Sequence, residues 1–407
     1  MIGKQGIAVS EMNRLPVTRF IGSRYDSNVA TVVPKNNSLL PAIWCYCSSS
    51  EYNIEVRKID QKVNVTNATL VKVPFDLDYW TKVAEEKYPH GLPEPFTDDP
   101  TQWIFHGHPS ASVVWNEETK RLKIGDDRID STVLHVAVAR LLGYRWPAEL
   151  DPEMELAPEM REVMKRLDAL QPFTDDDGIV CIPALRQEQD AATRLLSLLV
   201  AAYGDAWNGT IPDQLLAASG CEGKTLEQWL RDKFFVQHAK LFGDRPFIWQ
   251  IWDGLRDGFS VLVNYHKLDN KLLNSLIYSY LGDWINKQND DIANGVDGAQ
   301  EKLDAAKALK TKLIAILEGE APYDIFVRWK TLDEQPIGWN PDINDGVRLN
   351  IRPFMTAGVL RENKSPKLNI KWDKDRGKDV ASAPWYPVFH GDRINDHHLT
   401  LAEKTKR

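Results

Sequence analysis

Residues 32–80 read VVPKNNSLLPAIWCYCSSSEYNIEVRKIDQKVNVTNATLVKVPFDLDYW, and the order of elements here decides the fold. Val32 and Val33 end an apolar run that Pro34 closes, which reads as a strand. Ser38 is a candidate N-cap, and Pro41 sits near the first helical turn, where its missing N–H is no loss. Leu39, Ile43, Tyr46 and Cys47 recur at helical spacing, so a helix follows. Ser48, Ser49 and Ser50 break it. Glu51 to Ile59 form a second helical segment, with Arg57 and Lys58 beside its apolar positions. KVNVTNAT is then a polar loop, and Leu70, Val71 and Val73 predict a short strand stopped by Pro74.

Working outward, residues 6–33 predict three short strands, around Ile7–Val9, Val17–Ile21 and Val29–Val33, with Arg14, Arg19 and Arg24 on or between them. Downstream, a helix is expected around Tyr79–Tyr88, and VVWNEETKRLKIG predicts a hairpin with its turn at Asn116–Lys120. Thr132 to Tyr144 predicts an amphipathic helix ending at Gly143. Past Trp146–Pro147 the chain turns helical and acidic. Helices are expected over 153–170, 187–203, 225–242, 269–288 and 297–318, a strand over Ile179–Ile182, and a hairpin from Phe247–Trp252 and Phe259–Tyr265. Leu303, Ala306, Leu309, Leu313, Ile316 and Leu317 make one apolar face. From Tyr323 on, apolar runs are few, and the segment is expected to wrap the preceding structure or order on a partner. The organisation is therefore an α+β chain in three parts: a mixed domain over 1–146, a mainly helical one over 147–322, and an irregular wrap over 323–407.

The 407 residues have a soluble-globular composition, without a run long enough for a membrane helix or a basic-then-apolar leader. Four scattered cysteines do not make a disulfide framework, and Cys45 and Cys47 fall on different faces of one helix. A reducing cytoplasm fits. The net charge of −8 is uneven. Residues 1–75 hold 9 Lys and Arg against 5 Asp and Glu, and residues 361–407 hold 11 against 7, so the acidity lies in the centre. A polyanion would be drawn to the two ends.

The strand–helix–loop–strand order of residues 32–80, with LVKVPF after an Asn/Thr loop, resembles the target recognition domain of DNA methyltransferases and restriction specificity subunits. WDGLRDGFSVLVNYHKLD, PIGWNPDINDGVRLNIRPF, NIKWDKDRGKD and GDRINDHHLTLAEK resemble the C-terminal part of large adenine-specific DNA methyltransferases of bacterial anti-phage defence, of the DISARM and BREX types. DPTQWIFHGHP and VAVARLLGYRWP look like the middle of the same family. The resemblance covers nearly the whole chain. It implies DNA recognition by the first part and a helical C-terminal region after it. In that family an upstream domain binds S-adenosylmethionine and holds the flipped adenine in an NPPY-type motif. Here the nearest match is Asn340-Pro341-Asp342, without the second proline and the aromatic, and no glycine-rich turn suited to the cofactor follows a strand. The resemblance therefore implies a C-terminal piece that binds DNA, carries no catalytic, cofactor or metal residues of its own, and works beside a catalytic half or other defence proteins.

The candidate DNA-binding residues follow. In the recognition region they are Arg57, Lys62, Asn64, Thr66, Asn67, Thr69 and Lys72. Asn and Thr can donate to and accept from base edges, and the cations suit phosphates. An ordinary Asx-turn loop is the plain alternative. Farther on, Arg328 and Lys330 flank Trp329, and Lys371, Trp372, Lys374, Arg376 and Lys378 repeat the mixture, which suits phosphate contact with stacking. The alternative is a tryptophan anchoring the tail, with its cations lying along apolar surface. Arg348 and Arg352, four apart in an extended stretch, would face one side, with Asp342 and Asp345 as competing ion-pair partners. Glu362 and Lys364 after Asp342 mimic a metal-dependent nuclease only by spacing. His106, His108, His397 and His398 read as satisfied loop histidines.

Overall fold

Nine residues in a row, Val133–Leu141, are buried on every side of their helix, although the spacing predicted an amphipathic one. That difference sets how the chain divides. The computed structural model describes residues 4–22, 28–94, 106–185, 188–324, 326–331, 334, 347 and 349–361. Helices and small antiparallel sheets share the chain, so the fold is α+β, as expected. Two compact units alternate along it: residues 1–127 with 146–167, and residues 128–145 with 168–407. The sequence reading placed boundaries at 146/147 and 322/323. The chain instead crosses between units three times, because the apolar helix packs in the second.

The first unit opens with an antiparallel sheet of order β2-β1-β3: β1 (Gly6–Ser10), β2 (Val17–Phe20) and β3 (Val29–Val32). Ile7 and Val9 face its core and are fully buried. Asn36, rather than Ser38, caps the short turn that leads into α1 (Leu40–Cys47), accepting from the Ser38 N–H at 3.0 Å. Helix α1 is the centre of this core: Leu40, Ala42, Trp44, Cys45, Tyr46 and Cys47 are all buried. A fully buried leucine-sized side chain contributes about 1.5–3 kcal/mol, so this one helix carries much of the unit's stability. Burial pushes the Cys47 thiol up to about 12, which makes it an inert core group. Helix α2 (Ser50–Ile59) starts at Ser49, whose Oγ accepts from the Tyr52 N–H, and α3 (Leu77–Lys87) starts at Asp76, which caps Tyr79. The hairpin of β4 (Val113–Asn116) and β5 (Arg121–Ile124) turns where expected. His106 and His108 are buried loop residues, and their Nδ1 atoms accept from the His108 and Ala111 N–H groups.

The chain then leaves for α4, the buried helix Val133–Leu141, and returns with α5 (Pro147–Leu150) and α6 (Pro158–Met164). The single helix expected over 153–170 is instead α6 followed by 3-10 turns over Lys165–Phe173, with Pro172 inside them.

The second unit is built on the antiparallel sheet β6-β8-β7: β6 (Ile179–Cys181), the expected hairpin strands β7 (Ile248–Trp252) and β8 (Ser260–Asn264). Helices α7 (Ala191–Tyr203), α8 (Ile211–Ala218), α9 (Leu226–Asp232) and α10 (Phe234–Leu241) precede the hairpin. One helix was expected over 225–242. Lys233, at φ −129°, divides it in two. After β8 come α11 (Asn270–Asn274), a π-helical turn Ser275–Tyr280, α12 (Leu281–Ala293) and α13 (Ala299–Glu318). The six residues of the expected α13 face are all buried. The last helix among the described residues is α14 (Arg352–Ala357). Its neighbours lie along β7: the Trp252 N–H donates to Val359 O at 2.9 Å and the Trp252 indole to Leu360 O at 2.8 Å. Among the described residues, no helix is long and apolar enough to cross a membrane.

Candidate nucleic-acid interface

The loop after α2 is tied inward at most of its polar groups. Asp60 accepts from the Lys62 N–H at 3.1 Å and the Thr66 N–H at 3.3 Å. The Lys62 N–H is the chief cause holding the Asp60 carboxyl below its usual range, with the Thr66 N–H and the Lys62 charge adding to it. Thr66 and Thr69 join through their hydroxyls at 2.9 Å, and Thr69 is buried. The Val65 N–H donates to Glu11 O at 2.9 Å, and Asn64 pairs with Met12 across a β-bridge. With its amide nitrogen facing Glu11, Asn64 donates to that carboxylate at 3.2 Å.

Leu70–Val73 do not form the predicted strand. The Thr69 N–H turns back to Thr66 O at 2.8 Å and the Lys72 N–H to Thr69 O at 3.1 Å, so the backbone coils through successive turns. Val65 and Leu70 plug the loop into the core, and the Tyr52 hydroxyl from α2 fastens Leu70 O at 3.1 Å. Val71 is left 65 % exposed. Alternation of apolar residues suggested a strand, but no neighbouring strand takes up these groups.

Arg57 is half-buried and spends its guanidinium on backbone, donating to Lys62 O and, at 2.6 Å, to Asn13 O. It staples the loop to the β1–β2 turn. Lys62, Asn67 and Lys72 stay exposed, so of the seven recognition-region candidates these three keep side chains turned to solvent with no side-chain hydrogen bond among the described residues. Sequence reasoning did not single out Asp60, Glu11 or Tyr52 as the loop's organisers. Asp60, two residues ahead of Lys62, carried an Asx-turn signal that could have found the first.

The C-terminal candidates that can be described make contacts inside the fold. Arg328 donates to Tyr265 O and, at 3.1 Å, to His266 O, and its guanidinium lies 4.7 Å from the Tyr265 ring centre. Burial lowers its pKa. The Trp329 indole donates to Leu317 O at 3.2 Å and Lys330 Nζ to Glu318 O, so the pair closes the C-terminus of α13, where carbonyls lack helical partners. Arg352 is not in an extended stretch: it begins α14, buried, 5.0 Å over the Phe326 ring. Arg348, Lys371, Trp372, Lys374, Arg376 and Lys378 lie outside the described residues, as do Asp342, Asp345, Glu362, Lys364, His397 and His398.

Neither a family model nor a curated protein matches the chain.

One further polar cluster belongs to the second unit. Asp175, Asp176 and Asp177 place carboxylate oxygens within 4.8 Å of one another. Asp175 accepts from the Gly178 N–H and from Arg194 at 2.8 Å, and Asp177 from the Tyr280 hydroxyl at 2.8 Å. Burial first, then the Asp175 carboxylate, pushes the Asp177 carboxyl up to about 6. These bonds hold the chain turn into β6, and every one is internal to the fold.

Proposed function

We propose that this chain is the DNA-recognition and DNA-binding portion of an adenine-specific DNA methyltransferase of phage-defence type. The methyl transfer itself belongs to a separate catalytic half that binds S-adenosylmethionine. The family reading rests on the motifs quoted above. The structural observation that supports it is the stapled loop 60–72, which is rigid by its internal bonds yet turns Lys62, Asn67 and Lys72 to solvent. Such a loop can offer two cations to phosphates and one amide to a base edge without a large ordering cost on binding. A duplex partner implies a cytoplasmic setting.

The test is duplex binding by the purified chain across a salt titration, with calorimetry against S-adenosylmethionine beside it. Affinity should fall steeply with salt, and the cofactor should give no heat of binding. Salt-independent or absent duplex binding would count against DNA recognition, and micromolar cofactor binding against the division of labour.

A further inference from the structure

The turn between β1 and β2 is strained and held in place. Asn13 and Leu15 both have positive φ, 57° and 52°, in a region that side-chain-bearing residues rarely adopt. Such outliers persist where the surroundings over-determine them. Here Leu15 is buried, its N–H donates to Met12 O at 3.0 Å, the Ser10 N–H donates to Pro16 O at 2.9 Å, and Arg57 grips Asn13 O. The residue between the two outliers is Arg14. It is exposed, and it makes no ion pair among the described residues.

The staple fixes what lies beside it. One guanidinium donates to both Asn13 O and Lys62 O, and the bridge between Met12 and Asn64 continues the juxtaposition, one residue before Asn13 and two after Lys62. Arg14 and Lys62 are thus carried by neighbouring backbone. The acids nearby are committed: Glu11 is buried against Asn64, and Asp60 is occupied by loop N–H groups, leaving only its charge to offset Lys62.

Resting on the DNA reading above, we infer that Arg14 is a phosphate-contacting residue, presented beside Lys62 by a turn that Arg57 holds, and that Arg57 itself touches no DNA. Two cations carried on a held backbone meet a duplex with less backbone ordering cost than two on mobile loops.

The experiment is fluorescence anisotropy of the full chain with a labelled duplex of mixed sequence, titrated with salt, alongside melting temperature. Arg14→Gln should lower the slope of log K against log salt by about 0.9, the value of one phosphate contact, at unchanged melting temperature. Arg14→Lys should restore the slope. Arg57→Gln should weaken binding in the parent but add little in the Arg14→Gln background, as expected of a residue acting through Arg14. A parent-like slope in Arg14→Gln, or failure of Arg14→Lys to restore it, overturns the inference while the DNA reading stands. No salt-dependent binding by the parent removes the DNA reading and this inference together.

Discussion

His135 of α4 and His238 of α10 lie with ring centroids 5.9 Å apart, both fully buried, and the Nδ1 atom of each has no hydrogen-bond partner among the described residues. Trp229, Phe234, Phe242 and Phe247 surround them. Burial holds His135 down to about 3 and His238 well below its ordinary value, where the charge of His135 adds to the effect. The unfolded chain takes up these protons first, so the pair's stabilisation is present above about pH 6.5 and drains away as pH falls. Each histidine should cost roughly 1.4 kcal/mol per pH unit below that point. His135→Phe should flatten the decline of melting temperature between pH 6.5 and 4. An unchanged decline would show that other groups carry the acid response.

Asp177 works in the opposite sense. Its carboxyl is raised to about 6 against an ordinary 3.8, so the folded state holds that proton more tightly than the unfolded chain. The stabilisation is complete below about pH 3.8 and is lost as pH rises through 6. Asp177→Asn keeps an acceptor for the Tyr280 hydroxyl and removes the charge. Its melting temperature relative to the parent should improve from pH 4 to pH 7, and a constant difference would refute the assignment.

Arg328, Trp329 and Lys330 should behave as fold residues. Arg328→Ala leaves the carbonyls of Tyr265 and His266 without their donor and removes a cation from the Tyr265 ring, at a cost of about 1–3 kcal/mol. Trp329→Phe loses one hydrogen bond, about 0.5–1.5 kcal/mol. Denaturant melts would register both. The salt slope for duplex binding should stay where it was, and a drop of about one in Arg328→Ala would return it to the interface.

The loop separates two kinds of residue. Thr69→Val removes the hydroxyl that Thr66 uses and should lower stability by about 1 kcal/mol, leaving sequence preference intact. Asn67→Ala removes an exposed amide and should change preference at one position by roughly 1–3 kcal/mol, with little change in melting. Selection from a duplex library, on the chain joined to a catalytic half, reads the preference. Loss of stability without a change in selected sequence for Asn67→Ala would make the loop purely structural.

Elements with one continuous buried face, or joined by one turn, were readable from sequence. Helix α13 and the β7–β8 hairpin are of that kind, since one buried face or one turn specifies them. Helix α4 reads as amphipathic from the spacing of its apolar residues, whereas the residues between them, His135 included, are buried as well. Periodicity reports polarity, not what a polar group meets. The strand expected at 70–73 failed for a related reason: strand-like residues need a partner edge, and the Thr66–Thr69 turns took the backbone first. At the candidate interface the residue types were readable but their commitments were not. Nothing local says that Arg57 reaches back to Asn13, 44 positions earlier in the chain.

The alternation of the two units also limits how the gene can be divided. A product ending at 146 would carry α4 without α7, against which it packs, and would present nine core residues to water. A product beginning at 168 would lack α4 altogether, and with it Leu142, whose carbonyl accepts from the Asn264 side chain at 3.0 Å. Any single cut therefore strands part of one core on the wrong polypeptide. Recombination, fusion or fragment complementation would succeed only by keeping residues 1–167 and 168–407 present together, as two chains that assemble or as one that is never broken.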